Sequence, residues 1–201
     1  MDIGTGVGLS SSTGIRPYLP PLLAGALARG DVAIDFDGTD FSFLESPAFL
    51  AAVVAVGVAV FFIERAASTR RTAIGAEAQR RRAGPVELFA GLLGMALGAL
   101  LFAGALADNG HETWVGLVLG PLCAALGWVA VGGLVERVRA RLEPDQAALL
   151  TAYADGAALL LAAIAIFLPP LAYLAIPGFI VLIAGGRRRE REKYAGLRIL
   201  R

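Results

Sequence analysis

Few side chains in this sequence have chemistry to offer inside an apolar chain, and most of them stand close together. Ser11, Ser12, Thr13, Arg16 and Tyr18 lie in an otherwise apolar, glycine-rich run from about Ile3 to Ala28, interleaved with Pro17, Pro20 and Pro21. A proline cannot donate to the carbonyl four residues back. One continuous helix would therefore leave the carbonyls of Thr13, Arg16 and Pro17 unbonded, and in hydrocarbon such groups need protein, ions or water as partners. An arginine at membrane depth is a functional-site candidate by default, because its guanidinium pairs bidentately with carboxylates and phosphates. Its competing role is structural, as half of an ion pair or as a donor to the freed carbonyls. The hydroxyls divide in the same way, between lining a site and bonding back to their own helix. Asp155, alone in a later apolar run, is the natural partner of Arg16. At about 1.5 Å per residue the two lie roughly 20 Å and 12 Å from the same face, a difference that an arginine side chain spans. Asp155 alternatively reads as a proton or cation relay, or as an aspartate facing a small internal water pocket.

The remaining polar residues point away from catalysis. Glu64 and Glu136 stand at the ends of apolar runs beside Arg65 and Arg137, as gate residues or as interface charges in local pairs. His111 is the lone histidine, Cys123 the lone cysteine and Lys193 the lone lysine. That inventory excludes an intramolecular disulfide and a Cys/His zinc set. No His dyad, metal-ligand cluster, Ser/Lys pair or phosphate loop is present, so the chain is expected to be no enzyme, with no cofactor and no metal. The Asp35-Phe36-Asp37-Gly38 run fails the EF-hand template at its glycine and its final glutamate. It is expected to be a solvated acidic loop, with a weak cation site as the alternative.

The elements that must position these residues are membrane helices. Hydrophobic residues make up 57% of 201 residues, and a mean hydropathy of +0.68 requires several long apolar runs. Six are visible, at about 3–28, 47–63, 86–107, 114–135, 147–168 and 171–186. The expected fold is an all-α bundle of about six transmembrane helices, with the first discontinuous. A re-entrant hairpin is the alternative for that first segment and would move the N-terminus to the other face. The first three residues carry no basic cluster, so no cleavable signal peptide is expected. Residues 1–186 form a single transmembrane domain and residues 187–201 a basic tail. Pro177-Gly178 suggests a kink in the sixth segment, and Trp114 an interface anchor.

Charge sets the orientation. Sixteen of the eighteen lysines and arginines fall in the loop after the second segment, the turn after the fourth and the tail after the sixth. The positive-inside rule makes that face cytoplasmic, in a bacterial inner membrane. The C-terminus is then inside, and so is the N-terminus if the first segment crosses. The arginine clusters suit anionic lipid headgroups and do not suggest nucleic acid.

Two patterns concern the chain as a whole. Ala24-Gly25-Ala26-Leu27-Ala28 recurs as Ala103-Gly104-Ala105-Leu106-Ala107, and Ile63-Glu64-Arg65 as Val135-Glu136-Arg137, which suggests a weak parallel two-fold repeat or a chance match of alanine-rich helices. In addition, the stretch Ser11-Ser12-Thr13-Gly14-Ile15-Arg16-Pro17-Tyr18-Leu19-Pro20-Pro21-Leu22-Leu23-Ala24-Gly25, followed by Phe43-Leu44-Glu45-Ser46-Pro47 and a helix ending in Ile63-Glu64, resembles the bacterial integral-membrane family catalogued as domain of unknown function 4126. The likeness covers about the first 65 residues and is looser to about Leu160. The family usually continues with an acidic residue, a lysine and a proline where this chain has Arg65-Ala66-Ala67. The resemblance implies a membrane topology and no activity. Two functions fit the residues: a small transporter or channel with its polar site at the broken first helix, or a non-catalytic scaffold or assembly subunit. The scaffold would pack through small-residue faces such as Gly94 and Gly98 against a second copy or a membrane-protein partner.

Overall fold

The structure, a computed structural model, describes the backbone of residues 2–73, 85–139 and 144–197. The regular structure among those residues is all helical, with no strand. In chain order the helices are α1 (Asp2–Ile15), α2 (Leu19–Ala28), α3 (Pro47–Ala73), α4 (Pro85–Ala107), α5 (Thr113–Arg139), α6 (Pro144–Phe167), α7 (Pro169–Ala172) and α8 (Ala175–Leu197). Four described stretches are long and apolar enough to cross a membrane: Glu87–Ala107, Thr113–Val135, Leu149–Phe167 and Pro169–Gly186. This suits a membrane-embedded, multi-pass helical bundle. The apolar part of α3, Pro47–Ile63, is shorter.

The bundle is built around α1, which packs against α4, α5, α6 and α7. Glycines allow this. A Cβ on Gly6 would strike the Phe102 ring, one on Gly8 the Ala165 and Ala172 methyls, and one on Gly14 the Ala124 backbone. These contacts also give the direction of α1. Gly6 lies level with Phe102 near the end of α4, whereas Thr13 lies level with Gly94 near its middle.

The chain then reverses. Tyr18 lays its ring on Gly57, about ten residues into α3, while Gly25 meets Leu44 and Leu50 at the start of α3. Ala24 and Ala28 share one apolar cluster with Leu9, Ala162 and Ala165. Thus α1 descends to the middle of the bundle and α2 climbs back beside it. The expectation that the first segment crosses as one discontinuous helix is corrected: α1 and α2 form a re-entrant hairpin. The reason is local. Pro20 and Pro21 occupy the first turn of α2, where a missing N–H costs little, so they start a new helix rather than interrupt an old one. The N-terminal end of α1 consequently shares an end of the bundle with the 29–46 and 108–112 loops. It does not share the end of the arginine-rich segments, as expected for a crossing segment.

The loop over residues 29–46 is not simply solvated. Ile34, Phe36 and Leu44 are buried and plug the open end of the hairpin. Phe36 and Leu44 lie against Gly104 of α4. Phe43 stacks edge-on against Phe49 at 5.6 Å. The loop turns through positive φ at Asp31, Ala33 and Gly38.

Burial is strongly uneven along the helices. In α6 the buried residues are Ala158, Ala162, Ala165 and Ile166, with none over 149–157. In α4 they begin at Gly91, and in α5 they end at Ala130. The hairpin therefore is the core of one half of the bundle. Beyond its tip, toward the end where the Arg137 guanidinium lies on Gly186, the described helices have almost no buried residues. Pro177 does not kink α8. It sits in the first turn, and the Gly178 N–H still reaches the Leu174 carbonyl at 3.1 Å. Ala24–Ala28 closes α2 and Ala103–Ala107 closes α4 at the same end of the bundle, but a hairpin precedes one and a straight helix the other.

Candidate functional site

The tip of the hairpin brings the sequence's two isolated charges together. Arg16 continues the α1 hydrogen-bond ladder by one residue, its N–H donating to the Ser12 carbonyl at 3.1 Å. Pro17 and Tyr18 make the reversal, and α2 takes hold where the Leu22 N–H donates to the Tyr18 carbonyl at 3.3 Å. A cation at the C-terminal end of α1 matches the negative end of that helix dipole. The Arg16 Nε contacts the Asp155 carboxylate of α6 at 2.5 Å, with the side chains 13% and 35% exposed. Around them stand Gly57 of α3 under the Tyr18 ring, Gly94 of α4 at Thr13, and Ala124 and Trp128 of α5 at Gly14. The expected Arg16–Asp155 pair is formed, midway along the bundle.

The hydroxyl stretch is fully buried, and most of it is structural. Ser10 donates to the Gly6 carbonyl at 2.6 Å, Ser12 to the Leu9 carbonyl at 2.8 Å and Thr13 to the Ser10 carbonyl at 2.6 Å. Thr13 also reaches across to the Gly94 carbonyl at 3.0 Å. Ser11 differs: its hydroxyl is buried with no hydrogen-bond partner among the described residues. Ser12 and Thr13 thus face backbone rather than a shared polar space with Arg16. The Tyr18 ring lies on Gly57 at the tip. The side chains of Glu64 and Glu136 lie outside the described residues.

A second polar cluster sits on the capping loop. Carboxylate oxygens of Asp35, Asp37 and Glu45 lie within 4.8 Å of one another, and the Asp37 N–H donates to Asp35 Oδ1 at 2.7 Å. Burial and, after it, the charges of Asp37 and Asp35 push the Glu45 carboxyl above its ordinary range. Three carboxylates so placed are able to ligate a cation, although exposed acidic groups commonly gather without one. The sequence places Asp35 and Asp37 two apart but gives no sign that Glu45 folds back on them.

What sequence reasoning missed is the depth to which the capping loop plugs the open end of the hairpin, opposite the tip. The signal was the alternation Ile34-Asp35-Phe36-Asp37, in which the two apolar residues turn inward and the two acidic ones outward. No protein-family model matches the chain, and no curated protein or solved structure matches it either.

Proposed function

We propose that the chain is a small solute transporter or channel, with Arg16 and Asp155 as its selective site. The observation that supports this is the charged pair at the tip of a re-entrant hairpin, halfway through an apolar bundle. Charges are costly at that depth and mark solute paths. Helix ends that meet inside a bundle are the usual means of building such a site. On this reading α3, α4, α5, α6 and α8 cross the membrane, and the hairpin enters from the end opposite the arginines. The positive-inside rule then leaves the C-terminal tail in the cytoplasm and the N-terminus outside, in the plasma membrane of a bacterium. Membership of the family named above belongs to the same proposal, as do anionic-lipid contacts of the arginine clusters and a homo-oligomeric state.

The test is flux through proteoliposomes made with the wild type, Arg16→Gln and Asp155→Asn. Loss of flux in variants that remain monodisperse and helical supports a transport site. Undiminished flux in both removes these residues from the path. A scaffold is the second reading, favoured by the last described turn of apolar α3, where Phe61, Phe62 and Ile63 are all exposed. It requires the Arg16→Gln protein to lose stability or a partner, with no flux to lose.

A further inference from the structure

We propose that the α1–α2 hairpin is a strap that docks last: it enters its seat only after α4, α5 and α6 are in place across the membrane, and the Arg16–Asp155 contact latches it there. The proposal goes beyond the transport reading and stands whether or not the site passes a solute.

The helix at the centre of the bundle is poorly suited to lie in lipid by itself. Of the fourteen residues of α1, only Ile3, Val7, Leu9 and Ile15 carry apolar side chains; the rest are glycine, serine, threonine and Asp2. Arg16 extends this helix by one residue at its inner end, and on an insertion scale one arginine at mid-depth outweighs the gain from four such side chains. By contrast, Glu87–Ala107, Thr113–Val135 and Leu149–Phe167 are each long and apolar enough to cross unaided. Burial runs opposite to apolarity. Residues 6–14 of α1 are all buried, because protein rather than lipid surrounds them.

The helices that shield α1 come late in the chain. Apart from α2, it packs on α4, α5, α6 and α7, the first of which begins at Pro85. The acid that meets Arg16 is Asp155, and about 140 residues, or roughly 10–30 s of synthesis, separate the two charges. The surround has contacts of its own that do not involve α1. A Cβ on Gly116 or Gly120 of α5 would strike the α4 backbone at Ala103 or Ala99, and α8 packs on α5.

The seat admits a helix entering along its axis. Gly6, Gly8 and Gly14 give α1 faces without side chains, and Gly94, Gly98 and Gly127 answer from α4 and α5. A Cβ at those three positions would strike the Thr13 carbonyl, the Thr13 hydroxyl and the Ser11 carbonyl. Ser10, Ser12 and Thr13 bond to carbonyls of their own helix, so α1 carries these hydroxyls inward already satisfied. The travel ends where Arg16 meets Asp155, and Phe36 and Leu44 of the capping loop then close the entrance.

The experiment follows one cysteine at the tip, Leu19→Cys in a full-length Cys123→Ala chain. A membrane-impermeant maleimide is applied from the side on which Ile3→Cys reacts. At steady state the tip cysteine is expected to be unreactive. Full-length chains labelled within seconds of completion are expected to react, and to lose that reactivity during a chase. Asp155→Asn removes the latch and is expected to raise the steady-state rate about tenfold, within the usual coupling of residues in contact. Gly8→Leu blocks the seat itself, against the Ala165 and Ala172 methyls. There the tip is expected to stay reactive, while His111→Cys and Lys193→Cys still face opposite sides because the surround inserts without the strap. Where Gly8→Leu protein does not accumulate, the pulse decides: newly completed chains whose tip is already unreactive overturn late docking. A Gly8→Leu chain whose His111→Cys and Lys193→Cys no longer face opposite sides overturns it as well. Reactive new chains together with an unreactive Asp155→Asn tip overturn the latch and leave late docking standing.

Discussion

The Thr13 hydroxyl bridges two helices: its single proton is shared between the Ser10 carbonyl of its own helix at 2.6 Å and the Gly94 carbonyl of α4 at 3.0 Å. Such an approach requires Gly94, because a Cβ there would lie 2.7 Å from the Thr13 carbonyl oxygen. That obstacle is backbone, so it cannot rotate away. Gly94→Val is expected to destabilise the bundle by ~1–3 kcal/mol, the usual cost of overpacking. Gly132→Ala, whose Cβ would meet nothing within 4 Å, is the matched control and should stay within about 0.5 kcal/mol. Thermal unfolding in detergent, followed by helical circular dichroism, compares them.

The hydroxyls should separate by what they bond. Ser12→Ala removes only a bond to the Leu9 carbonyl of its own helix, and a small effect is expected. Thr13→Val keeps the shape and deletes an interhelical bond of a kind worth about 0.6 kcal/mol on average and up to about 1.7 in membrane proteins. A Thr13→Val protein as stable as Ser12→Ala would show that the bridge to Gly94 contributes nothing measurable.

Arg16 and Asp155 should behave as a coupled pair. Removing either partner strands the other, and the stranded arginine suffers more because it is the more buried. Asp155→Asn is therefore expected to destabilise more than Arg16→Gln. The full buried-pair range of about 3–5 kcal/mol overstates both effects, since Asp155 is one-third exposed. The double variant should recover part of the loss, giving a coupling energy of at least ~0.5 kcal/mol in a double-mutant cycle. Additive effects would mean that the contact is not energetically real.

These pairs show how far the sequence could be read. The membrane class, the apolar helices and the Arg16–Asp155 pairing were all legible, because length, hydropathy and the scarcity of charge leave few options. The hairpin was legible only as an alternative. Prolines at positions 17, 20 and 21 say that the ladder stops, but a stop followed by onward travel and a stop followed by reversal differ only in tertiary packing. The reversal is decided by contacts such as Tyr18 on Gly57 and Leu44 on Gly25, between segments far apart in sequence. The Ser-Thr stretch misled for a related reason. A buried serine looks the same in a sequence whether it lines a path or bonds back to the preceding turn.

The capping loop should respond to pH in a defined direction. Burial, and then the neighbouring charges of Asp37 and Asp35, raise the Glu45 carboxyl above its unfolded value of 4.5. The folded loop therefore holds a proton more tightly than the unfolded loop does. That contribution to stability is fully present below about 4.5 and is lost as pH rises through the folded value. With the carboxyl ionised, Glu45 opposes the loop, so Glu45→Gln should stabilise it and flatten its response as pH falls from neutral toward the unfolded value of 4.5. Hydrogen exchange at Ile34 and Phe36, which the loop buries, reports this directly. A variant that exchanges faster than wild type at pH 7 would contradict the sign.

The re-entrant hairpin makes the sharpest geometric prediction, because the direction of α1 determines which side of the membrane its first residues face. Ile3 is half exposed at the start of α1, and Gly4 lies against Pro169 at the turn between α6 and α7. His111 is exposed in the loop between α4 and α5, at the same end of the bundle. After Cys123→Ala removes the native thiol, single cysteines at Ile3 and His111 should react with a membrane-impermeant maleimide from the same side in intact cells. A cysteine replacing Lys193 in the basic tail should react only after the membrane is opened. Had the first segment crossed, the Ile3 cysteine would follow the Lys193 cysteine instead. Labelling of Ile3→Cys only in opened cells would therefore remove the hairpin, and with it the placement of Arg16 at a tip that stops halfway.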